Sequence, residues 1–383
     1  MGEATNDMAS EAGTFQSSEI GASASRVAFA DYAGRVKPGL DAALSTYLAH
    51  IAESVLRLPP DVQVAVETVR DLSLRGGKRL RAVLMAAGYE ACGGTHGPDT
   101  VVMAGVSLEL LQAYLLIHDD WMDADDVRRG GPSVPAMLRT HFSARGLSAD
   151  DRAVDAFAIL AGDFAAGLAL DALGQVQVAA DRLAAAVREM GRIQRDVVLG
   201  QMCDLQGSVT REAPTEAAVE LTHALKTGSY TVRGPLALGA HLAGADEKTL
   251  RALEAFADPL GIAFQLRDDV LGTFGDPKRT GKAATGDLRE GKRTALIAAF
   301  AHTATDAASA QLLARAFGRA DATTEDVEAL AQRIASSGAK ARVEGRIVAL
   351  VQQAMTALDA APFTPTSREL LRGAAHTLGH REK

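Results

Sequence analysis

From Asp41 onward, apolar residues recur three and four positions apart, as in Val106, Leu110, Ala113 and Ile117 and again in Leu160, Phe164 and Leu168. That spacing lines up one face of an α-helix. Alternation of β-branched residues over five or more positions is scarce, so no sheet is expected. Pro59-Pro60, Gly93-Gly94, Gly130-Gly131-Pro132, Gly275-Asp276-Pro277 and Ala361-Pro362 interrupt the helical pattern and mark its turns. The helices between them are long, and no linker composition separates them. The pattern predicts one all-α domain over residues 26–383, a large bundle whose core positions can host a site. Residues 1–25 are rich in Gly, Ser, Thr, Ala and Glu without an apolar period, which predicts a disordered tail.

Composition narrows the picture. Hydrophobic residues make up 47% of the 383 positions, enough for a sizeable core, while aromatics at 4% point to helices packed through alanine and leucine. A net charge of −8 argues against a nucleic-acid binder, which would show a basic face. It leaves anionic ligands open, because local cations can oppose the global sign. Cys92 and Cys203 have no metal or redox spacing and read as small buried residues. No basic segment followed by an apolar run opens the chain. The longest apolar stretch, Val101 to Ile117, contains Ser107, Glu109 and Gln112 and is shorter than the roughly 20 residues of a membrane span. A soluble cytoplasmic protein without a transmembrane segment is expected.

One stretch resists a purely structural account. "DDWMDADD", Asp119 to Asp126, holds five aspartates in eight positions and is followed at once by Arg128 and Arg129. On a helix Asp119 and Asp123 are i and i+4, so their carboxylates project from one face about one turn apart. Asp120 points away from them. A hard divalent cation would remove the repulsion, and Mg²⁺ suits one or two carboxylates completed by water and a substrate phosphate. The alternative is a solvated acidic helix end. A second pair, Asp268-Asp269, also follows an apolar helix. An EF-hand starting at Asp123 is excluded by Arg128 where glycine is required. In "GDLREGKRT" a P-loop spacing fails because Arg293 stands in place of Ser or Thr and no strand precedes it. Basic residues nevertheless cluster near glycines. "LRGGKRLRAVL" carries Arg75, Lys78, Arg79 and Arg81 at an expected helix start, with Lys78 and Arg81 spaced to face one way. Lys226 and Lys282 lie in "LKTGSY" and "RTGKA". Together with two carboxylate pairs they outline a site for metal-bound polyanions.

"GGKRLR", "DDWMDADDVRRG", "LAGD", "GQMCDL", "LKTGSY" and "FQLRDD" followed by "GDPKRTGK" resemble, in order, the motifs of the trans-isoprenyl diphosphate synthases, the polyprenyl synthetase family. The resemblance runs from about Gly76 to Thr294. It implies an isoprenoid synthase-type all-α bundle around a deep central cavity, usually a homodimer. It also implies a prenyl transfer from isopentenyl diphosphate to an allylic diphosphate (dimethylallyl, geranyl or farnesyl), with Mg²⁺, three ions per site, as cofactor. By the same resemblance Asp119, Asp123 and Asp268 would ligate Mg²⁺, and Asp120 and Asp269 would support them. Lys78, Arg81 and Arg129 would bind isopentenyl diphosphate, with Gln112 where many bacterial relatives have histidine. Arg128, Lys226, Thr227 and Lys282 would hold the allylic diphosphate, and Gln201, Asp204 and Gln265 would complete the polar wall. The second motif departs from the family pattern: it reads "DDVLG", with Gly272 at its last position and Asp276 expected a turn further on. Tyr114 and Leu115, five and four residues before Asp119, fall where the family's product tunnel has its floor. A bulky Tyr114 implies a short product, geranylgeranyl diphosphate, with farnesyl diphosphate as the alternative. A class I terpene cyclase would require an Asn, Ser or Thr, Glu metal motif, and the single asparagine is Asn6. A non-catalytic regulatory subunit would have lost aspartates that this chain keeps.

Overall fold

The computed structural model describes residues 4–95, 97–148, 152–209, 214–276, 285–319 and 321–379. Helices form almost all of it, as the apolar period predicts. The chain resolves into two compact units, Asp31–Arg188 with Leu238–Ala245, and Met1–Ala30 with Glu189–Ala237 and Asp246–Lys383. Three of their boundaries fall inside helices α1 (Ala4–Ser54), α7 (Ala180–Val209) and α9 (Gly234–Ala243), and the fourth, Ala245–Asp246, falls in the short turn after α9, which is why no linker composition appears in the sequence.

In the first unit, α2 (Pro60–Leu74) opens with proline in its first turn, where the missing N–H has no helical partner to lose. Helix α3 (Leu80–Ala91) is buried on nearly every side and forms the centre of this unit. Helix α4 (Val102–Met122) lies along α6 (Arg152–Gly174), tied by the Ser107 hydroxyl, which donates to the Ala169 carbonyl at 2.6 Å. Both helices are long and apolar enough to cross a membrane by length and composition, so the shortness inferred from Val101–Ile117 does not hold; α4 is the more buried of the two. Between α4 and α5 (Val134–Ser143) lies a feature the sequence pattern did not predict, a hairpin pairing Val127 with Pro132 and Arg128 with Gly131. Its two turn residues, Arg129 and Gly130, have φ of 53° and 72°. Such a two-residue turn matches strand twist, and its strands are too short for alternation to register.

In the second unit, α8 (Glu216–His223) runs into a ten-residue π-helical segment, Ala224–Arg233, that contains "LKTGSY". Wide turns of this kind occur mostly at functional positions. Close approach holds it in place: a Cβ on Gly200 of α7 would stand 2.2 Å from the Lys226 nitrogen. Helix α10 (Glu247–Phe274) packs on the π segment, and further helices follow at Ala295–Thr303, Ala307–Ala316, Thr324–Ser336, Ala339–Ala360 and Pro365–Gly379.

Two expectations are corrected. Helix α1 begins at Ala4, within the stretch read as a disordered tail. Its alanines and glutamates favour helix, and Ser25 and Phe29 are buried, with the Ser25 hydroxyl donating to Glu369. The cysteines are free, but Cys203 is exposed and Cys92 half-buried, because α7 is exposed on every side over residues 202–206.

Candidate active site

The first acidic motif sits at the C-terminal end of α4. Asp123 caps the helix, its N–H bonding the Asp119 carbonyl at 2.9 Å, so the predicted one-turn spacing of the two aspartates is kept. Asp119 is partly exposed and Asp123 exposed, whereas Asp120 is fully buried. The hairpin returns Arg128 onto this helix end. Its Nε donates to Asp120 Oδ1 at 2.6 Å, and its Nη2 lies 3.0 Å from Asp125 and 3.7 Å from Asp119. One guanidinium thus answers three of the five aspartates, and Arg139 pairs with Asp126, which offsets the repulsion within the cluster. Burial pushes the Asp120 carboxyl up to about 6, against the pull of Arg128. Its second oxygen, Oδ2, has no hydrogen-bond partner.

The basic stretch divides into different roles. Arg75 clamps the hairpin, donating to the carbonyls of Arg128 at 3.2 Å and Pro132 at 2.5 Å, and bonds Asp71 through Nε at 2.9 Å. Arg79, at φ 50° just before α3, is buried between Asp41 at 2.8 Å, Glu109 at 2.7 Å and the Ser73 carbonyl at 3.1 Å. Because α3 begins at Leu80, Lys78 precedes the helix and does not share a face with Arg81, which corrects the predicted i, i+3 pairing. Lys78 is exposed and Arg81 partly so. Arg129 reaches back to the Leu72 carbonyl at 3.4 Å. Farther up α4, Gln112 and Leu115 are half-buried and Tyr114 is buried, its ring in a T-shaped pair with that of His118 at 4.9 Å between centroids.

The second motif sits inside α10, which continues past it to Phe274. Asp268 is partly exposed. Asp269 is buried: its Oδ2 accepts from the Ala295 N–H at 2.9 Å, capping the helix Ala295–Thr303, and its Oδ1 accepts from Gln265 at 3.2 Å. His223, which the sequence reading missed, lies 3.4 Å from the same carboxylate. The Gln265 side-chain Oε1 accepts from the Thr227 hydroxyl at 2.8 Å, so one hydrogen-bonded chain joins the π segment to the second motif. The neighbouring Lys226 pairs with Asp204 at 2.5 Å, and Gln201 lies one turn before Asp204 on α7. Asp276 lies beyond the helix end, after an extended Gly275, and so is not one helical turn from Gly272. Lys282 lies outside the described residues.

Gly272 has a steric reason. A Cβ there would fall 1.8 Å from Oδ2 of Asp287, so the carboxylate of Asp287 occupies the space beside the position where the family motif has aspartate. Sequence reading left Asp287 in a rejected P-loop. The glycine was its only visible trace.

Among the described residues, no group of three or more His, Cys, Asp or Glu side chains is placed to hold a metal ion by itself. The pair of partly exposed Asp119 and exposed Asp123 still fits a hard cation that takes one or two carboxylates and completes its shell with water and phosphate. Arg128 beside Asp119 shows that the cluster attracts positive charge.

Comparison with known proteins agrees with these features. The sequence model of the polyprenyl synthetase family matches residues 62–334. A geranylfarnesyl diphosphate synthase of Aeropyrum pernix is 31% identical over 300 residues, covering 77% of this chain and 87% of that protein. A geranylgeranyl diphosphate synthase of Methanosarcina mazei is 28% identical over 297 residues, covering 78% and 84%. Among solved structures, a geranylgeranyl pyrophosphate synthase from Corynebacterium glutamicum, complexed with isoprenyl diphosphate and magnesium, superposes with a TM-score of 0.83 at 32% identity, covering 92% of this chain and 99% of that one.

Proposed function

The chain belongs to the polyprenyl synthetase family and is a short-chain prenyltransferase, and we propose that it joins isopentenyl diphosphate to allylic diphosphates to make geranylgeranyl diphosphate, with farnesyl diphosphate as the alternative product. The observation that carries the product length is the burial of Tyr114 five residues before Asp119, where a bulky ring would stop a growing chain.

Bound Mg²⁺, three ions by the family resemblance, would neutralise the allylic diphosphate and make it a leaving group. Asp119 and Asp123 would hold it in the first motif and Asp268 in the second. Asp120 and Asp269 support these ligands from behind: each is buried, one on Arg128 and one on the Ala295 N–H, so each fixes the helix beside it. Arg128, Lys226, Thr227 and Lys282 would hold the allylic diphosphate, and Lys78, Arg81 and Arg129, with Gln112, the isopentenyl diphosphate. Fixed cations of this kind stabilise the charge that develops as the C–O bond breaks. Orientation of the second substrate supplies the rest, so no side-chain nucleophile is required.

A homodimer working in the cytoplasm completes the proposal. Helix α6 supports the dimer: Ala153, Ala156, Leu160, Gly167 and Leu170 lie on one exposed face at helical spacing, with Leu160 at 62% exposure and Asp163 as the charged position among them. The test is incubation of the purified enzyme with Mg²⁺, isopentenyl diphosphate and each of dimethylallyl, geranyl and farnesyl diphosphate, followed by sizing of the products. Geranylgeranyl diphosphate as main product, lost on chelation, is expected. A main product longer than twenty-five carbons, or full turnover in excess chelator, overturns the proposal.

A further inference from the structure

His118 has a role that its place in the sequence does not reveal. It lies one turn beyond Tyr114 on α4, and the two rings meet edge to face, with centroids 4.9 Å apart and planes at 72°. Such aromatic pairs favour one mutual orientation over others. The imidazole is held from its other side by α6. Its Nε2 lies 3.0 Å from the Ile159 carbonyl, and a carbonyl only accepts, so Nε2 carries the hydrogen and donates it. Asp163 stands 3.6 Å from the same nitrogen.

This seat exists only because residue 162 is glycine. A Cβ at Gly162 would fall 2.3 Å from both Cδ2 and Nε2 of His118. The ring lies directly on the backbone of α6. Three residues thus hold the imidazole in place: Gly162 admits it, the Ile159 carbonyl orients it, and the Tyr114 ring meets it in a T-shaped pair.

We propose that His118, seated on Gly162, is a positioning residue for product length, holding the Tyr114 ring in the orientation that closes the chain-length floor. The inference rests on the reading of Tyr114 as that floor. An alanine at 162 displaces the imidazole, and an alanine at 118 removes it. Either change removes the ring contact that orients the phenol, so the floor opens and longer prenyl chains are released.

The experiment compares the wild type with Gly162→Ala, His118→Ala, Tyr114→Ala and the pair His118→Ala/Tyr114→Ala. Products from isopentenyl and farnesyl diphosphates are sized at equal conversion, so that a lower kcat does not affect the ratio. Thermal melting of each variant checks its folding. Tyr114→Ala is expected to raise the ratio of longer to main product several-fold. His118→Ala and Gly162→Ala should move it in the same direction, and the double variant should match Tyr114→Ala alone, because His118 acts through the phenol. A merely structural histidine would lower melting temperature and kcat without changing the ratio. If Tyr114→Ala lengthens the product while folded His118→Ala leaves it unchanged, the role of His118 is refuted and the floor stands. Should Tyr114→Ala change nothing, the floor reading falls and this inference falls with it. Where Gly162→Ala does not fold, His118→Ala, which leaves space and creates no clash, decides alone. Additive lengthening in the double variant would mean that His118 lines the tunnel itself, which also overturns a positioning role.

Discussion

Replacing Arg79 by methionine should be among the most damaging single changes in the first unit. The Arg79 side chain is 3% exposed, and its Nη1 donates to Glu109, whose own side chain is 2% exposed. The Glu109 Oε1 already lacks a hydrogen-bond partner, so Arg79 is what compensates this carboxylate. Asp41, 35% exposed and also paired with Lys37, loses much less. Methionine keeps most of the volume and occupies the same φ of 50°, so backbone strain is unchanged. What remains is a buried carboxylate without its cation, a defect worth about 3–5 kcal/mol. For a unit of this size each kcal/mol lowers Tm by about 2–4 °C, so a fall of roughly 6–20 °C is expected. The same reasoning says that the charge left behind, and not the lost packing, dominates. Arg79→Met/Glu109→Met should therefore recover most of the loss, since an apolar pair of similar volume often matches or exceeds a buried ion pair. The assay is thermal melting of the wild type, both single variants and the double, analysed as a double-mutant cycle. A Tm for Arg79→Met within 2 °C of wild type, or losses that simply add in the double variant, would refute the argument.

Burial pushes the Glu189 carboxyl up to about 7 from its ordinary 4.5, opposed by Arg192 and Arg233. The folded state therefore holds this proton more tightly than the unfolded chain. Stability should rise as pH falls from about 8 towards 5, by at most about 1.4 kcal/mol per pH unit, and Glu189→Gln should flatten the Tm profile; a variant profile parallel to the wild type would count against it. Gly272→Asp should lower Tm by displacing the Asp287 carboxylate, an overpacking loss of about 1–3 kcal/mol that Gly272→Asp/Asp287→Gly partly restores in a melting series. Lys78→Ala and Arg81→Ala should mainly raise the KM for isopentenyl diphosphate and Lys226→Ala that for the allylic substrate; steady-state kinetics showing equal impairment of both substrates in all three would refute this division.

Much of the local architecture was legible in the chain. The apolar period places α4, α6 and α10, and proline and glycine pairs mark helix boundaries, Pro60 at the start of α2 and Gly93 just past the end of α3. The one-turn relation of Asp119 and Asp123 was equally legible, because it depends only on helical spacing within five residues. The six ordered motifs also identified the family, since residue identity at fixed order survives without knowledge of any contact. Features shorter than a pattern escaped, including the two-residue hairpin and the π turn around Lys226.

Charge partnership was not legible. Four basic residues in "LRGGKRLRAVL" looked alike, yet Arg75 clamps a hairpin more than fifty residues away in sequence and Arg79 neutralises a glutamate on α4. Asp268 and Asp269 are chain neighbours, but the first is partly exposed while the second caps a later helix. Gly272 read only as a variant of the second motif, and the Asp287 carboxylate beside it gives the steric reason; Gly162 read only as part of "LAGD", and the His118 ring lies on it. Helix period and turn chemistry are set by dihedral preferences and hydrogen bonds among near neighbours, so the sequence by itself determines them. Which carboxylate a cation meets, and which glycine admits a ring, depends on side chains brought together from distant segments, and only the tertiary structure decides that.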